Sequence, residues 1–181
     1  MKIVDGWLDR AKKVPSPNFN QRPANSRVDL LVIHNISLPP DQFDTPYIEL
    51  FFQNKLPLNE HAYFEHLKNV EVSAHFLIKR NGQIIQFVSC DDRAWHAGES
   101  EFCGARNCND FSIGIELEGT DTIPYTPEQY QALVEITNSI QLAYPDISKN
   151  RITGHQHIAP LRKTDPGESF DWDRYLESLR V

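Results

Sequence analysis

VDLLVIHN, Val28–Asn35, runs through Ile33 almost without a polar break and is rich in β-branched residues. An apolar run this short and this continuous reads as a strand buried on both faces, which belongs inside a sheet covered by helices. It ends in His34-Asn35, and polar residues at the carboxyl end of a buried strand are where α/β sheets commonly put ligand-handling groups.

The flanking segments extend the sheet. Ser73–Phe87 reads as a hairpin, AHFLIKR-NG-QIIQF, turned at Asn81-Gly82, with His75, Leu77 and Lys79 on one face of its first strand. Phe111–Glu118, FSIGIELE, is a further strand, with Ile113, Ile115 and Leu117 facing one way and Gly114, Glu116 and Glu118 the other. Arg151–Thr153 is short enough for a last strand delivering His155.

Helices fall between these strands. Thr45-Pro46 is a start signal, with Thr45 as N-cap, for YIELFFQN. Thr126-Pro127-Glu128-Gln129 spells a capping box. The helix it opens should bury Tyr130, Leu133, Val134, Thr137 and Ile140 and stop at Pro145. Trp172, Tyr175, Leu176 and Leu179 sit at i, i+3, i+4 and i+7 of a C-terminal amphipathic helix. Residues 1–27 and 55–72 read as irregular. Without repeats or a linker, the pattern implies one α/β domain over residues 1–181, a mixed central sheet flanked by α-helices.

Composition narrows the class. The 181 residues are 40% hydrophobic and 24% charged, ordinary for a globular protein. A net charge of −7 opposes nucleic-acid binding and a basic membrane-facing surface. The first residues lack the apolar core of a secretory signal, and no stretch approaches a membrane span. Cys90, Cys103 and Cys108 are odd in number and lack CxxC spacing. They suit a reducing compartment, so a cytoplasmic location is expected. No coiled coil or apolar stripe asks for a partner, and a monomer is expected.

The chemistry concentrates in GHQHIAPLRKTDPG, Gly154–Gly167, which reads as a loop shaped by Pro160, Pro166 and Gly167. His34, His155 and Asp165 are a plausible ligand set for a zinc ion with an open position. Two neutral imidazoles and one carboxylate leave Zn²⁺ one net positive charge, keeping it an effective Lewis acid. Lys163, two residues before Asp165, would point the same way in an extended chain, toward an oxyanion. Glu116, with Gly114 on its face, is a candidate general base.

Each of these residues also has a plain reading. The histidines could be core or surface groups, Lys163 a solvated lysine, and Glu116 part of a solvent-facing strand. His75 and His96 read as hydrogen-bonded structural histidines rather than a fourth ligand. In an extended segment His157 shares a face with His155, and the residues alone leave that choice open. Cys108, flanked by Asn107 and Asn109, keeps a cysteine hydrolase in view, though nothing beside it clearly lowers its pKa.

Six segments occur here in one order: LLVIHNISLPP, VSAHFLI, NGQIIQFV, RAWHAG, CNDFSIGIELEGTD and GHQHIAPLRKTDPG. Together they closely resemble the AmpD-type amidases of bacterial cell-wall recycling, cytosolic members of the N-acetylmuramoyl-L-alanine amidase family, which is itself similar to phage amidase lysozymes and peptidoglycan recognition proteins. The likeness runs from about Gly6 to Tyr175. It implies a zinc amidase domain that cuts the amide between N-acetyl-1,6-anhydromuramic acid and L-alanine of an anhydro-muropeptide substrate. It further implies His34, His155 and Asp165 as zinc ligands, so that His157 is demoted, with Glu116 as acid/base and Lys163 as transition-state stabiliser. Asn35, Tyr63 and Trp95 match positions lining the substrate cleft.

Two departures bear on specificity. Relatives often carry arginine where this chain has Asn107 and places Arg106, a candidate substrate contact, one step earlier, a change expected to weaken grip on the substrate's carboxylates. A basic residue ahead of VSAH is here Glu71. Some relatives of this fold lose the third ligand and only bind muropeptide; the retained Asp165 and Glu116 speak against a pure binding module.

Overall fold

Six strands make the main sheet of the computed structural model, which describes residues 1–180; Val181, the last residue of the expected domain, lies outside them. They are β1 (Lys12–Lys13), β2 (Leu30–Ile36), β3 (Phe76–Ile78), β4 (Ile84–Gln86), β5 (Ser112–Glu118) and β6 (Ile152–Gly154). Their order across the sheet is β6-β2-β5-β3-β4-β1. Every neighbouring pair is parallel except the β3–β4 hairpin. The helices are α1 (Tyr47–Phe52), α2 (Pro127–Ala143), α3 (His155–Ile158) and α4 (Trp172–Glu177). This is the expected mixed sheet with flanking helices.

The pleat sorts the side chains of β2 and β5. Leu31, Ile33, Ile113, Ile115 and Leu117 join one core with Leu133, Ile136 and Ile140 of α2 and Tyr175 of α4. Leu30 and Val32 face the other way, into a small cluster with Ala97, Cys108 and Ile158. A buried Leu or Ile contributes about 1.5–3 kcal/mol. Slipping β5 by one residue would swing Glu116 and Glu118 into the α2 layer, so packing holds the register firmly. That register sets Gly114 opposite Val32, and Glu116 opposite His34.

The expected capping box forms. Thr126 Oγ1 accepts from Gln129 N–H at 3.1 Å, and Gln129 Oε1 accepts from Thr126 N–H at 3.1 Å. Gln129 is fully buried, and its amide donates to the carbonyls of Ile78 and Glu118, tying α2 to β3 and β5. The hairpin closes through Gly82 at φ +80°, a conformation that favours glycine.

Several local expectations need correction. Residues 1–27 are not irregular throughout: Ile3–Val4 pairs with Trp7–Leu8, β1 joins the sheet, and Phe19–Gln21 pairs with Asp92–Ala94. These strands are two or three residues long and rest on tertiary partners, so periodicity cannot reveal them. A 3₁₀ helix, Ala62–Leu67, interrupts the stretch 55–72. Thr45 does not cap α1; Pro46 takes that position and the Thr45 hydroxyl donates to Leu38 O instead. In α2, Val134 is only partly buried and Ile136 holds the core position. The last strand lies at Ile152–Gly154, and residues 155–158 form a helical turn rather than loop.

Candidate metal centre and cleft

Three adjacent parallel strands, β6, β2 and β5, end at one edge of the sheet. His34 lies near the end of β2, Glu116 near the end of β5, and His155 follows β6 directly. Asp165 comes back to the same edge because its carbonyl accepts from Gln156 N–H at 2.9 Å, closing the loop onto α3. Gly167 completes the return: at φ +81°, a Cβ there would fall 2.2 Å from Asp121 Cα.

His34 Nδ1 and His155 Nδ1 are 3.0 Å apart, and each is 3.1 Å from Asp165 Oδ2. A tetrahedral ion with bonds of about 2.0–2.1 Å spreads its ligand atoms about 3.3 Å apart, close to this triangle. The far side of each ring fits as well. His155 Nε2 lies 3.0 Å from Ala97 O, a pure acceptor, so Nε2 carries the hydrogen and Nδ1 offers its lone pair. The three donors therefore face a common point, and these residues could hold a metal ion.

The electrostatics agree. Burial lowers His34 to about 4, against the adjacent Asp165, which favours charge, so the ring is neutral near pH 7. Burial works against ionised Asp165, but the adjoining imidazoles of His155 and His34 outweigh it and hold the carboxyl well below the usual range. Glu116 shows the opposite behaviour. Burial, helped by the Asp165 charge and opposed by Lys163, pushes it well above an ordinary glutamate. Its Oε2 is buried and has no hydrogen-bond partner. A buried, partnerless carboxylate oxygen costs stability, and such groups are found where chemistry requires them.

The triad's Asp165 opens onto a cleft of about 510 Å³, within the size range of small-ligand sites. Asn35, Lys163, Arg162 and Asp121 also line it. Asn35 Nδ2 donates to Asp121 Oδ1 at 2.8 Å and Pro166 O at 3.1 Å, so it braces the cleft wall as well as lining it. Arg162 continues into an adjoining groove with Arg106, Ile158 and Leu161. Arg106 itself is exposed and pairs with Glu101 at 3.5 Å. Tyr63 on the 3₁₀ helix and Trp95, whose Nε1 donates to Asn20 Oδ1 at 2.7 Å, line neither.

Other candidates separate cleanly. His157 leaves the site because residues 155–158 are helical: two positions along a helix turn the side chain to the far side, toward Thr153 and Trp172. His75 Nδ1 accepts from Gly114 N–H at 3.0 Å, leaving Nε2–H to donate to Asp92 O at 3.1 Å. Glu118 is spent on the N–H groups of Asp44 and Arg80. Burial pushes the Cys108 thiol up, away from the thiolate a cysteine hydrolase needs. Asn107 sits at φ +59°, a left-handed position where asparagine is favoured over arginine.

Sequence reasoning missed Arg162 and Asp121 as cleft residues. Both lie inside the quoted motifs, RKTDPG and LEGTD, but neither has a pattern that separates it from a solvated charge.

The sequence pattern of the N-acetylmuramoyl-L-alanine amidase family matches residues 24–168. The 1,6-anhydro-N-acetylmuramyl-L-alanine amidase AmpD of Citrobacter freundii is 53% identical over 97% of this chain and 93% of its own length. A crystal structure of AmpD superposes with a TM-score of 0.96 at 52% identity, covering 99% of both chains. The Escherichia coli amidase AmiD, solved with anhydro-N-acetylmuramic acid-L-Ala-D-gamma-Glu-L-Lys, superposes at 0.62 with 32% identity over 88% of this chain and 60% of its own.

Proposed function

Because this chain belongs to the N-acetylmuramoyl-L-alanine amidase family and is an amidase of that kind, we propose that it is a zinc-dependent hydrolase of peptidoglycan recycling. Its substrate is an anhydro-muropeptide, cut between N-acetyl-1,6-anhydromuramic acid and L-alanine. One observation carries the zinc reading: three atoms able to ligate a metal converge within 3.1 Å beside Glu116, whose buried Oε2 has no hydrogen-bond partner.

Zinc held by His34, His155 and Asp165 would supply the positive charge that acidifies water and polarises the scissile carbonyl. Glu116 is the base. Its unpartnered Oε2 is free to take the proton from the attacking water, and burial makes it a stronger base than an exposed glutamate. The same oxygen returns that proton to the departing alanine nitrogen. Lys163, on the cleft wall, brings an ammonium to the oxyanion of the tetrahedral intermediate. Asn35 and Arg106 are the substrate contacts favoured by their positions on the cleft and its adjoining groove. Tyr63 and Trp95 rest on family resemblance alone.

Among the described residues no helix is long and apolar enough to cross a membrane. Cys90, Cys103 and Cys108 form no disulfide, which supports a reducing cytoplasm. We take the chain to act there as a monomer.

The test incubates the protein with purified anhydromuropeptide and follows the products by mass. Release of free stem peptide is expected, abolished by a zinc chelator and restored by zinc. An intact ligand would make the chain a binder, and full turnover in a metal-free sample would overturn the zinc assignment.

A further inference from the structure

His96 lies against the candidate metal centre without belonging to it. Its Nδ1 is 2.9 Å from His34 Nε2, the nitrogen pointing away from the triad, and its Nε2 is 3.1 Å from Ser112 Oγ. Ser112 Oγ is in turn 2.6 Å from Cys108 O.

The protons in this row can be assigned by elimination. Cys108 O is a carbonyl and only accepts, so the Ser112 hydroxyl proton is committed to it. Ser112 Oγ then accepts, and His96 Nε2 carries the hydrogen. A neutral imidazole has one N–H, so His96 Nδ1 is an acceptor and His34 Nε2–H donates to it. On this assignment His34 Nδ1 is left with a bare lone pair, aimed at the point it shares with His155 and Asp165. The Asp165 carboxylate, 3.1 Å away and itself an acceptor, favours a hydrogen there, so the row of His96, Ser112 and Cys108 is what holds the hydrogen on Nε2. Run in the other direction, the row would place a hydrogen on His34 Nδ1 and close that point to a cation.

The ring of His96 is held independently of these bonds. A Cβ on Gly114 would fall 2.5 Å from His96 Cγ and Nδ1, so the ring lies directly on the bare backbone of β5. Asn109 Oδ1 accepts from the N–H groups of both His96 and Ala97, at 3.0 and 2.8 Å. Ala97 O is the acceptor for His155 Nε2–H. Two consecutive residues, pinned by one asparagine, therefore supply the outer partners of both histidines.

We infer that His96 is a positioning residue: it sets the tautomer and ring orientation of His34 so that Nδ1 is presented ready to bind the ion. This rests on the reading of His34 as a metal ligand. Outer partners of ligating histidines typically change metal affinity about 10–100-fold when removed. An imidazole in that place, itself ordered by a serine, sets His34 apart from His155, which is backed by a carbonyl.

The test uses the full chain and two readouts, ¹⁵N chemical shifts of the His34 ring in metal-free protein and zinc affinity by chelator competition. Wild type should show His34 protonated on Nε2. His96→Leu, which has no acceptor, should give mixed His34 tautomers and a roughly 10–100-fold weaker zinc affinity. His96→Asn, whose Oδ1 can occupy the place of Nδ1, should keep the tautomer and most of the affinity. Ser112→Ala, which unties His96 without touching His34, should fall between them. A folded His96→Leu protein with the wild-type His34 tautomer and zinc affinity overturns the inference, as does a wild type with the hydrogen on Nδ1. A wild type with the expected tautomer that takes up no zinc supports the tautomer lock and overturns the metal reading instead.

Discussion

Glu116 stands directly across the β2–β5 ladder from His34, and one of its carboxylate oxygens is buried without a hydrogen-bond partner. Parallel register brings the two together: packing of Ile113, Ile115 and Leu117 against the α2 layer leaves Gly114 and Glu116 no alternative but the opposite face. The core thus aims the proposed base, and the lack of a partner leaves it free to exchange a proton.

Glu116→Gln tests that relationship. The amide keeps the shape and cannot act as a base, so kcat should fall about 10²–10⁴-fold. Zinc content should be unchanged, because Glu116 is not in the triad. Thermal stability should stay level or rise, since a buried group pushed toward its neutral form is replaced by one that is always neutral. Steady-state kinetics and a melting curve check both halves.

Lys163→Ala should lower kcat about 10²–10³-fold with little change in KM, the signature of a group whose charge matters chiefly when the oxyanion has formed. Lys163→Arg should recover part of the loss. A rise in KM with unaltered kcat would recast Lys163 as a substrate-binding residue.

Gly114→Ala should be destabilising although alanine is ordinarily the better strand residue. The added Cβ meets the His96 ring at 2.5 Å, and both the ring and the central strand are packed on all sides. A cost of about 1–3 kcal/mol is expected, with reduced zinc affinity because His96 must move. Denaturant unfolding and chelator competition measure the two effects.

His75 predicts an acid-sensitive fold. Burial, assisted by the Arg22 charge, lowers it to about 3, whereas in the unfolded chain it titrates near 6.5. A depressed histidine contributes stability that is complete above pH 6.5 and is lost as pH falls from there toward 3. The slope approaches about 1.4 kcal/mol per pH unit where only the unfolded chain is protonated. His34 acts with the same sign, and raised Glu116 opposes it. Comparing metal-free wild type with His75→Gln isolates the His75 share: the variant's stability should fall less steeply between pH 6 and 4.

Much of the scaffold was legible locally because its signals are local. The apolar run of β2, the alternation of β5, the Asn81-Gly82 turn and the Thr126–Gln129 capping box each depend on residues within a few positions of one another, and each forms. The short ribbons of residues 1–27 and the cap of α1 were not legible, because distant partners decide them.

The same division runs through the candidate site. Sequence by itself singled out His34 at a strand end, Glu116 on a face with glycine, and the Lys163–Asp165 loop, since each sits oddly for pure structure. It could not choose between His155 and His157 without the family resemblance, because that choice turns on whether two residues are extended or helical. The structure makes residues 155–158 one helical turn after β6, so the two rings point apart and only His155 meets His34 and Asp165. Nor could a sequence show that the space above Gly114 belongs to His96, which comes from a loop eighteen positions earlier in the chain. Periodicity reports which face a side chain takes; what stands on that face is decided by packing between segments far apart in the chain.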